Sequence, residues 1–272
     1  MTYATGKKYL KQEALPLMWC SGCGSGIVLT SMLRAMEELN YEKKDFVIVT
    51  GIGCWGKADD FLSTNALHTT HGRALTFATG IKGANPDLHV IVLMGDGDGA
   101  TIGGNHLIHA ARRNMDLTAI LVNNCNYGMT GGQFSATTPA DTFTSTSAAG
   151  NPERAFDLCH LVTAAGANYV ARETAYNGNN LKNIIKAGLQ KKGFSFIEAI
   201  SPCTTLFGPR NQMKTPVSMM EWLKEKGVPQ ARYDQIEDAA ANGYFVTGTF
   251  ANRDDLDFST RYEIMRNRIN NG

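Results

Sequence analysis

The sequence lacks the features that would direct a protein to a membrane, to nucleic acid or out of the cell. Its most apolar run, residues 90–94 (VIVLM), is far shorter than the roughly 20 residues of a membrane-spanning helix. The formal net charge is only +1, so no strongly charged surface is expected to attract nucleic acid or lipid headgroups. The first residues, MTYATGKKYLKQ, contain no apolar stretch of the kind found in secretion signals. We therefore expect a cytoplasmic protein that binds neither nucleic acid nor membranes.

Internal repeats and low-complexity segments are also absent. Hydrophobic residues (43%) and charged residues (19%) occur in the proportions of an ordinary globular protein, so 272 residues suffice to bury the core of one large domain. Glycine is plentiful, with 28 residues against a usual frequency of ~7%. The glycines cluster in short motifs, which indicates places where the backbone approaches a ligand closely.

Short apolar runs alternate along the chain with segments of helical periodicity. This alternation is typical of βαβ units, in which helices cover both faces of a parallel sheet. The predicted strands are 46–50, 88–94, 117–123 and 194–200, and the predicted helices are 25–39, 105–113, 152–165 and 181–190. Asn151 is the expected N-cap of the third helix, with Pro152 at its first position. The predicted fold class is α/β, with a doubly wound, mostly parallel sheet.

The pattern weakens after Pro202, where we predict one short helix at 218–226 followed by a polar tail. We accordingly divide the chain into an α/β domain at 1–205 and a weakly structured C-terminal extension at 206–272 that serves subunit contacts. The segment 126–150 is rich in Gly, Thr, Ser and Ala and is long for a connection. Connections of this length in a folded domain are usually functional or disordered.

A glycine-rich turn follows the apolar run at 90–94, with the sequence Gly95-Asp96-Gly97-Asp98. A strand that leads through such a turn into a helix brings backbone N–H groups close to bound phosphates. The turn matches neither the GxxxxGK[ST] phosphate loop nor the GxGxxG dinucleotide motif. It carries aspartates instead, which suit a Mg²⁺ ion that bridges two phosphates. Taken alone, a GDG triplet is more often an ordinary tight turn.

The next predicted strand ends in a second polar motif, Asn123-Asn124-Cys125-Asn126. Neighbouring parallel strands deliver their carboxyl ends to the same edge of a doubly wound sheet. Asp96 and Asn124 can therefore converge on one cation, with the main-chain carbonyl of Asn126 as a third ligand. The two motifs together predict a magnesium–diphosphate site at this edge.

The cysteines fall into two groups, of which the larger occupies loops marked by glycine or proline: Cys20, Cys23, Cys54 and Cys203. Four such thiolates can bind a structural zinc ion or a [4Fe–4S] cluster, and the residue types do not discriminate between them. A redox-active disulfide at the CxxC pair is a third alternative. Of the remaining two, Cys159 lies on the apolar side of a predicted helix and is expected in the core. Cys125 is expected to pack beside the cofactor.

Several longer motifs occur in order over residues 15–210: WCSGCG, GIGC, HTTHGRALTFATGIKGANPD, MGDGDGATIGGNHLIHAARRN, VNNCNYGMTGGQFSATTP and SPC. Together they closely resemble the β subunit of 2-oxoacid:ferredoxin oxidoreductases, which bind thiamine diphosphate. The resemblance implies that thiamine diphosphate is bound through Mg²⁺ at Asp96, Asn124 and Asn126. It also implies that the four loop cysteines hold a [4Fe–4S] cluster.

The reaction implied by the resemblance is the oxidative decarboxylation of a 2-oxoacid with coenzyme A, which yields acyl-CoA and CO₂. The electrons pass through the cluster to ferredoxin. The sequences of these motifs are most similar to those of β subunits specific for 2-oxoglutarate, with branched-chain 2-oxoacids or pyruvate as alternative substrates. Some relatives carry lysine at the position of Gly131, and its absence here leaves the substrate open.

Thiamine in this family is activated by a glutamate of the α subunit, and no glutamate of this chain lies in a suitable glycine-rich loop. An α subunit is therefore an expected partner, with small γ and δ subunits as optional additions. Within this chain, the glycine-rich turn is expected to contact the cofactor. The loop Tyr127–Gln133, which includes Gly128, Met129 and Thr130, resembles the substrate-side loop of the family, and the Thr130 hydroxyl is placed on the phosphate side.

His71 and Arg73, in the HTTHGR motif, are the candidate catalytic residues because this motif is expected near the thiazolium, the substrate or the cluster. The alternative is that its histidines only anchor a loop. Two other classes of protein also remain: a non-redox thiamine-dependent decarboxylase or carboligase, and a non-catalytic scaffold subunit. Asp96 and Asn124 argue against a scaffold, because a scaffold has no need of a magnesium site.

Overall fold

A central sheet organises the computed structural model, which describes residues 6–270. Within that range the strands are β1 (Phe46–Thr50), β2 (Asn65–His68), β3 (His89–Gly95), β4 (Thr118–Asn123), β5 (Tyr169–Thr174), β6 (Ser195–Ile200), β7 (Gly227–Pro229) and β8 (Phe245–Asn252). Their order across the sheet is β2-β1-β3-β4-β6-β5-β8-β7. The first six neighbours in this order run parallel, whereas β8 is antiparallel to β5.

Helices cover both faces of the sheet. They are α1 (Ser25–Glu38), α2 (Ala74–Ala84), α3 (Gly104–Arg113), α4 (Leu158–Ala165), α5 (Gly178–Gln190), α6 (Phe207–Arg210), α7 (Pro216–Lys226), α8 (Gln230–Tyr233) and α9 (Phe258–Asn270). Successive residues of a strand point to opposite faces. Thus Ile91 of β3 packs with α1 and α5, whereas Val92 packs with α2, α3 and α4. The predicted doubly wound α/β fold is confirmed.

The edge strand β2 differs from the strands at the centre. Every residue of β4, β5 and β6 is buried, as expected for parallel strands covered on both faces. In β2 all four residues are exposed. Nothing among residues 6–270 pairs with its outer edge.

The four predicted strands agree with β1, β3, β4 and β6, and most predicted helices agree to within a few residues. The start of the third predicted helix was wrong. That helix begins at Leu158, and its N-cap is Asp157, whose side chain accepts a hydrogen bond from the His160 N–H. Asn151 instead donates through its side-chain amide to the carbonyl oxygens of Thr138 and Pro139, so it closes a loop.

The C-terminal extension is more regular than its weak sequence pattern suggested. β8 pairs with β5, with Tyr169 opposite Asn252, and therefore belongs to the same sheet as the preceding domain. α9 follows it and carries exposed apolar side chains at helical spacing, among them Tyr262, Met265 and Ile269. The division at residue 205 and the role of the extension in subunit contacts remain predictions. None of the helices between Gly6 and Asn270 is both long and apolar enough to cross a bilayer.

Candidate functional site

The site lies where the winding of the sheet reverses. The chain passes from β1 outward to β2 and then crosses to β3, on the other side of β1. The loops after β1 and β3 therefore diverge and leave a crevice, which is where open α/β sheets bind ligands. A turn of π-helix at Gly97–Ile102 follows β3 and leads into α3. Such turns are rare in proteins, and those that occur are often found at functional sites.

Asp96 is buried at the carboxyl end of β3. Its Oδ2 accepts hydrogen bonds from the hydroxyls of Ser135 and Thr137, and its Oδ1 lies 3.5 Å from the backbone nitrogen of Asn124. Burial raises the pKa of this carboxyl to about 6, although these hydrogen bonds oppose the increase. The contact with Asn124 shows that the two predicted metal residues lie together, as expected for neighbouring strand ends.

The turn after β4 has a strained central residue. Cys125 is buried with φ of 65°, a left-handed conformation that is uncommon for residues other than glycine. It is held by the side chain of Asn123, which accepts from the Cys125 N–H over 3.1 Å. The backbone N–H of Asn126 donates to Asn124 Oδ1. The buried side-chain amide of Asn126, by contrast, has no hydrogen-bond partner among residues 6–270. Uncompensated buried amides are costly, so this one indicates a ligand position.

A buried ion pair supports that turn from behind. Asn123 donates through Nδ2 to Glu198 Oε1 over 2.9 Å, and Arg172 donates through Nε to Glu198 Oε2 over 2.7 Å. Arg172 also donates to Asp157 over 2.7 Å. The orientation of the Asn123 amide is thus fixed by a carboxylate that is itself fixed by an arginine.

Asp98, the second aspartate of the glycine-rich turn, faces a different loop. Its Oδ1 accepts from the backbone N–H of Gly72 over 2.7 Å and lies 2.5 Å from Nδ1 of His71. The N–H of Ile52, in the loop after β1, lies 3.3 Å from the same oxygen. This carboxylate therefore joins the HTTHGR segment to the loop after β1.

A cavity of about 90 Å³ opens between these loops. Its lining includes the predicted magnesium residues Asp96, Asn124 and Asn126, together with His71 and Cys54. A larger cavity of about 650 Å³ lies behind the Cys125 turn, beside the buried ion pair. We assign the site to the smaller cavity because its lining carries the buried side-chain amide that lacks partners, whereas the buried charges of Arg172 and Glu198 at the larger one are paired with each other.

The four loop cysteines lie in one region. Burial raises the pKa of the Cys54 thiol to about 11, and the nearby thiols of the other three add to the increase. Cys20 and Cys203 both approach the Thr205 hydroxyl, at 3.9 and 3.5 Å. The backbone N–H of Cys203 donates to the carbonyl of Asn124 over 2.9 Å, which connects the cysteine region to the turn after β4.

No three His, Cys, Asp or Glu side chains between residues 6 and 270 are grouped closely enough to hold one metal ion. The other two cysteines are elsewhere. Cys159 is fully buried in the core, as predicted, and Cys125 is buried in the turn after β4.

Known proteins with similar sequences identify the family. Residues 51–199 match the family described as the C-terminal TPP-binding domain of thiamine pyrophosphate enzymes. The 2-oxoglutarate synthase subunit KorB of Methanothermobacter thermautotrophicus is 50% identical over 246 residues, which cover 90% of this chain and 86% of the relative. The 2-oxoacid:ferredoxin oxidoreductase subunit beta of Saccharolobus solfataricus is 44% identical over 69% of this chain and 62% of its own length. The chain belongs to the β subunits of the 2-oxoacid:ferredoxin oxidoreductases.

A solved structure agrees with this membership. The 2-oxoglutarate:ferredoxin oxidoreductase from Magnetococcus marinus, determined with 2-oxoglutarate, coenzyme A and succinyl-CoA bound, superimposes with a TM-score of 0.86 at 30% identity. The match covers 99% of this β subunit and 92% of that chain. The chain is therefore an oxidoreductase component with a thiamine-diphosphate-binding domain, as predicted.

The other predicted site residues of the β subunit are placed as follows. Gly128 adjoins Asn124, Asn126 and Cys54, since a Cβ added there would lie 3.4–3.6 Å from their side-chain atoms. Met129 and Thr130 line the cavity, but the Thr130 hydroxyl donates to Gln133.

Arg73 lies outside that lining. Its guanidinium contacts the carbonyl oxygens of Gly72 and Ile102. The roles of these residues remain predictions.

Two functional contacts were missed by sequence reasoning. Ser135 and Thr137, which hold Asp96, lie in the long segment 126–150, where no periodicity indicates a side-chain direction. The only signal was the length of that segment and its many hydroxyl residues. Tyr127 belongs to the predicted substrate-side loop: its ring lies where a side chain at Gly97 would be, and it packs edge-on against His71.

Proposed function

We propose that this β subunit catalyses the CoA-dependent oxidative decarboxylation of 2-oxoglutarate to succinyl-CoA and CO₂, with ferredoxin as electron acceptor. The observation that carries the proposal is the single cavity that joins Asp96, Asn124 and Asn126 to Cys54 and His71. The choice of 2-oxoglutarate rests on relatives 48–51% identical that are named 2-oxoglutarate synthase subunits.

The residues at the cavity fit Mg²⁺ and thiamine diphosphate. Asp96 supplies a buried carboxylate, and Asn124 and Asn126 supply oxygen ligands of the type that Mg²⁺ prefers. The Asn126 amide, buried without a partner, would gain one when the ligand binds. When bound, the thiazolium supplies an electron sink for the release of CO₂. Ser135 and Thr137 hold the Asp96 carboxylate in place by hydrogen bonds to Oδ2.

The loop cysteines fit a [4Fe–4S] cluster, which needs four thiolates, because the other three thiols all lie near enough to Cys54 to raise its pKa. The membership of the chain in the oxidoreductase family favours this cluster over a zinc ion. Trp19 steadies this region, because its indole N–H donates to the Cys54 carbonyl over 2.6 Å. The cluster would supply a one-electron acceptor beside the cavity.

The lining of the cavity supports an α subunit as a partner. No glutamate is among the lining residues in the described part of the chain, and the family resemblance assigns the glutamate that activates thiamine to the α subunit. A second subunit that closes the crevice would supply this glutamate and exclude water. His71 lines the cavity and is suited to bind the substrate or to exchange a proton at Nε2.

The test uses the complex of this chain with its co-expressed partner subunits, purified without oxygen. Iron and acid-labile sulfide are measured first, and a panel of 2-oxoacids is then assayed with coenzyme A and an artificial electron acceptor. We expect about four irons per chain, as a [4Fe–4S] cluster requires, and the highest kcat/KM with 2-oxoglutarate. Zinc in place of iron would refute the cluster. A preference for pyruvate or branched-chain 2-oxoacids would refute the substrate.

A further inference from the structure

Asp98 is the residue whose structural position departs most from what its motif suggests. It belongs to the same glycine-rich turn as Asp96, but none of its hydrogen bonds goes to the Asn124–Asn126 turn. The π-helical turn directs the Asp98 carboxylate toward the loop after β1 and the HTTHGR segment. We therefore infer the function of Asp98 from its contacts with these two loops.

Both neighbouring loops are shaped to receive this carboxylate. A Cβ added at Gly51 would lie 1.8 Å from Asp98 Oδ2, so only glycine leaves room for it. Gly72 has φ of 72°, which glycine adopts without strain, and its N–H donates to Asp98 Oδ1. The carboxylate is buried, and its Oδ2 has no hydrogen-bond partner among residues 6–270. Among the described residues, its hydrogen bonds reach one ionisable side chain, that of His71.

His71 is held in a defined orientation. A carboxylate only accepts hydrogen bonds, so the contact at 2.5 Å places a proton on Nδ1 of the imidazole. The ring also packs edge-on against Tyr127, with centroids 5.9 Å apart. The other ring nitrogen, Nε2, makes no hydrogen bond with any residue from 6 to 270, and the ring lines the cavity beside Cys54. Two contacts thus fix the ring and leave Nε2 free for a ligand.

We propose that Asp98 is a positioning residue, which holds His71 with Nδ1 protonated so that Nε2 is presented to the substrate. The inference rests on the proposed function, because it assigns the bound 2-oxoacid or coenzyme A to the space that Nε2 faces. A carboxylate that orients an imidazole in this way also selects its tautomer, which decides whether Nε2 can accept a proton. Asp98 acts through His71 and needs no contact with substrate.

The competing explanation is that Asp98 only anchors two loops through backbone N–H groups. Asp98→Asn separates the two, since an amide oxygen in the same place still accepts from Gly72, Ile52 and His71 but carries no negative charge, so it no longer strengthens Nε2 of His71 as a proton acceptor. A matched control is Asp59→Asn. Asp59 is also buried and lies 3.4 Å from the other histidine of the motif, His68.

The kinetic test is a double-mutant cycle on the assembled complex, with Asp98→Asn and His71→Gln alone and together. We expect Asp98→Asn to lower kcat by roughly 10- to 100-fold, the range seen for carboxylates that orient a functional histidine. In the His71→Gln background the same substitution should change kcat less than about twofold. For the control, the effects of Asp59→Asn and His71→Gln on kcat should be independent, so the double variant should show their product. If the effects of Asp98→Asn and His71→Gln on kcat multiply in the double variant, the proposal is overturned. If the wild-type complex does not oxidise any 2-oxoacid, the proposed function is overturned.

A second readout needs neither activity nor cofactor. Diethyl pyrocarbonate acylates an imidazole nitrogen that carries a free lone pair, and peptide mass spectrometry measures the rate for each histidine. We expect His71 to react in the wild-type complex and to react several-fold more slowly in Asp98→Asn, where the lost carboxylate charge makes the Nε2 lone pair less nucleophilic. His106 and His109 on α3 should react equally in both. An unreactive His71 in the wild type, or equal rates in the two proteins, would overturn the proposal.

Discussion

The buried ion pair behind the Cys125 turn should matter to cofactor binding, and Glu198→Gln tests this. Glu198 accepts hydrogen bonds from three donors, the guanidinium of Arg172, the amide of Asn123 and the thiol of Cys159. A glutamine has one accepting oxygen and one donating nitrogen, so in either orientation its nitrogen opposes Arg172 or Asn123. The variant therefore breaks the ion pair and disturbs Asn123, although the shape of the side chain is unchanged.

The magnitude follows from burial. The side chains of Arg172 and Glu198 are only 6% and 2% exposed, and removal of one partner from such a pair costs roughly 3–5 kcal/mol. We expect about 3 kcal/mol, the low end of that range, because Arg172 keeps its contact with Asp157. For a chain of this size that corresponds to a fall in melting temperature of roughly 6–12 °C. A loosened Asn123 should also weaken Mg²⁺–thiamine diphosphate binding by about 10-fold.

Scanning calorimetry and titration of tryptophan fluorescence with thiamine diphosphate at saturating Mg²⁺ measure the two effects on the assembled complex. Glu173→Gln is the matched control. Glu173 is also buried, on the neighbouring strand, but it accepts from Thr174 and Asn180 and has no link to Asn123. The control should lower stability and leave cofactor affinity unchanged. If Glu198→Gln lowers stability and also leaves affinity unchanged, the support of the turn by this network is refuted.

Further variants test the remaining assignments. Asp96→Ala should abolish thiamine-dependent activity but retain the iron content, and a fully active variant would refute the magnesium assignment. Cys54→Ser should lower iron and sulfide content, whereas Cys159→Ser should not, and equal effects would contradict the sorting of the cysteines. Gly51→Ala should lower kcat at least as much as Asp98→Asn, because its Cβ would lie 1.8 Å from Asp98 Oδ2. Gly80→Ala on α2, where no atom lies within 4 Å of the added Cβ, should retain activity.

The parts of the site that follow strand ends could be predicted from the sequence. Asp96 and Asn124 each follow an apolar run, and parallel strands bring their carboxyl ends to one edge, so their contact follows from topology. The burial of Cys159 followed from helical periodicity in the same way, even though the helix starts later than expected. Periodicity and topology suffice where regular elements position a residue.

The remainder depends on loops whose path no periodicity specifies. Asp98 was grouped with Asp96 because the two share a motif, but the π-helical turn directs its carboxylate to His71. Asn151 was read as a helix cap because it precedes a proline, but loop carbonyls compete for its amide. Ser135 reaches Asp96 from a long segment without a repeating pattern. Such contacts between segments far apart in the chain are decided by tertiary packing.

The exposed edge strand β2 has a consequence for how the protein is made. A strand with solvent along its whole length presents unpaired backbone groups that can recruit strands of other molecules. The last helix, α9, exposes the apolar side chains of Tyr262 and Ile269, which adds a second surface that can associate with other molecules. Copies synthesised in excess of their partner subunits should therefore aggregate, so balanced expression of the subunits becomes a condition for soluble enzyme.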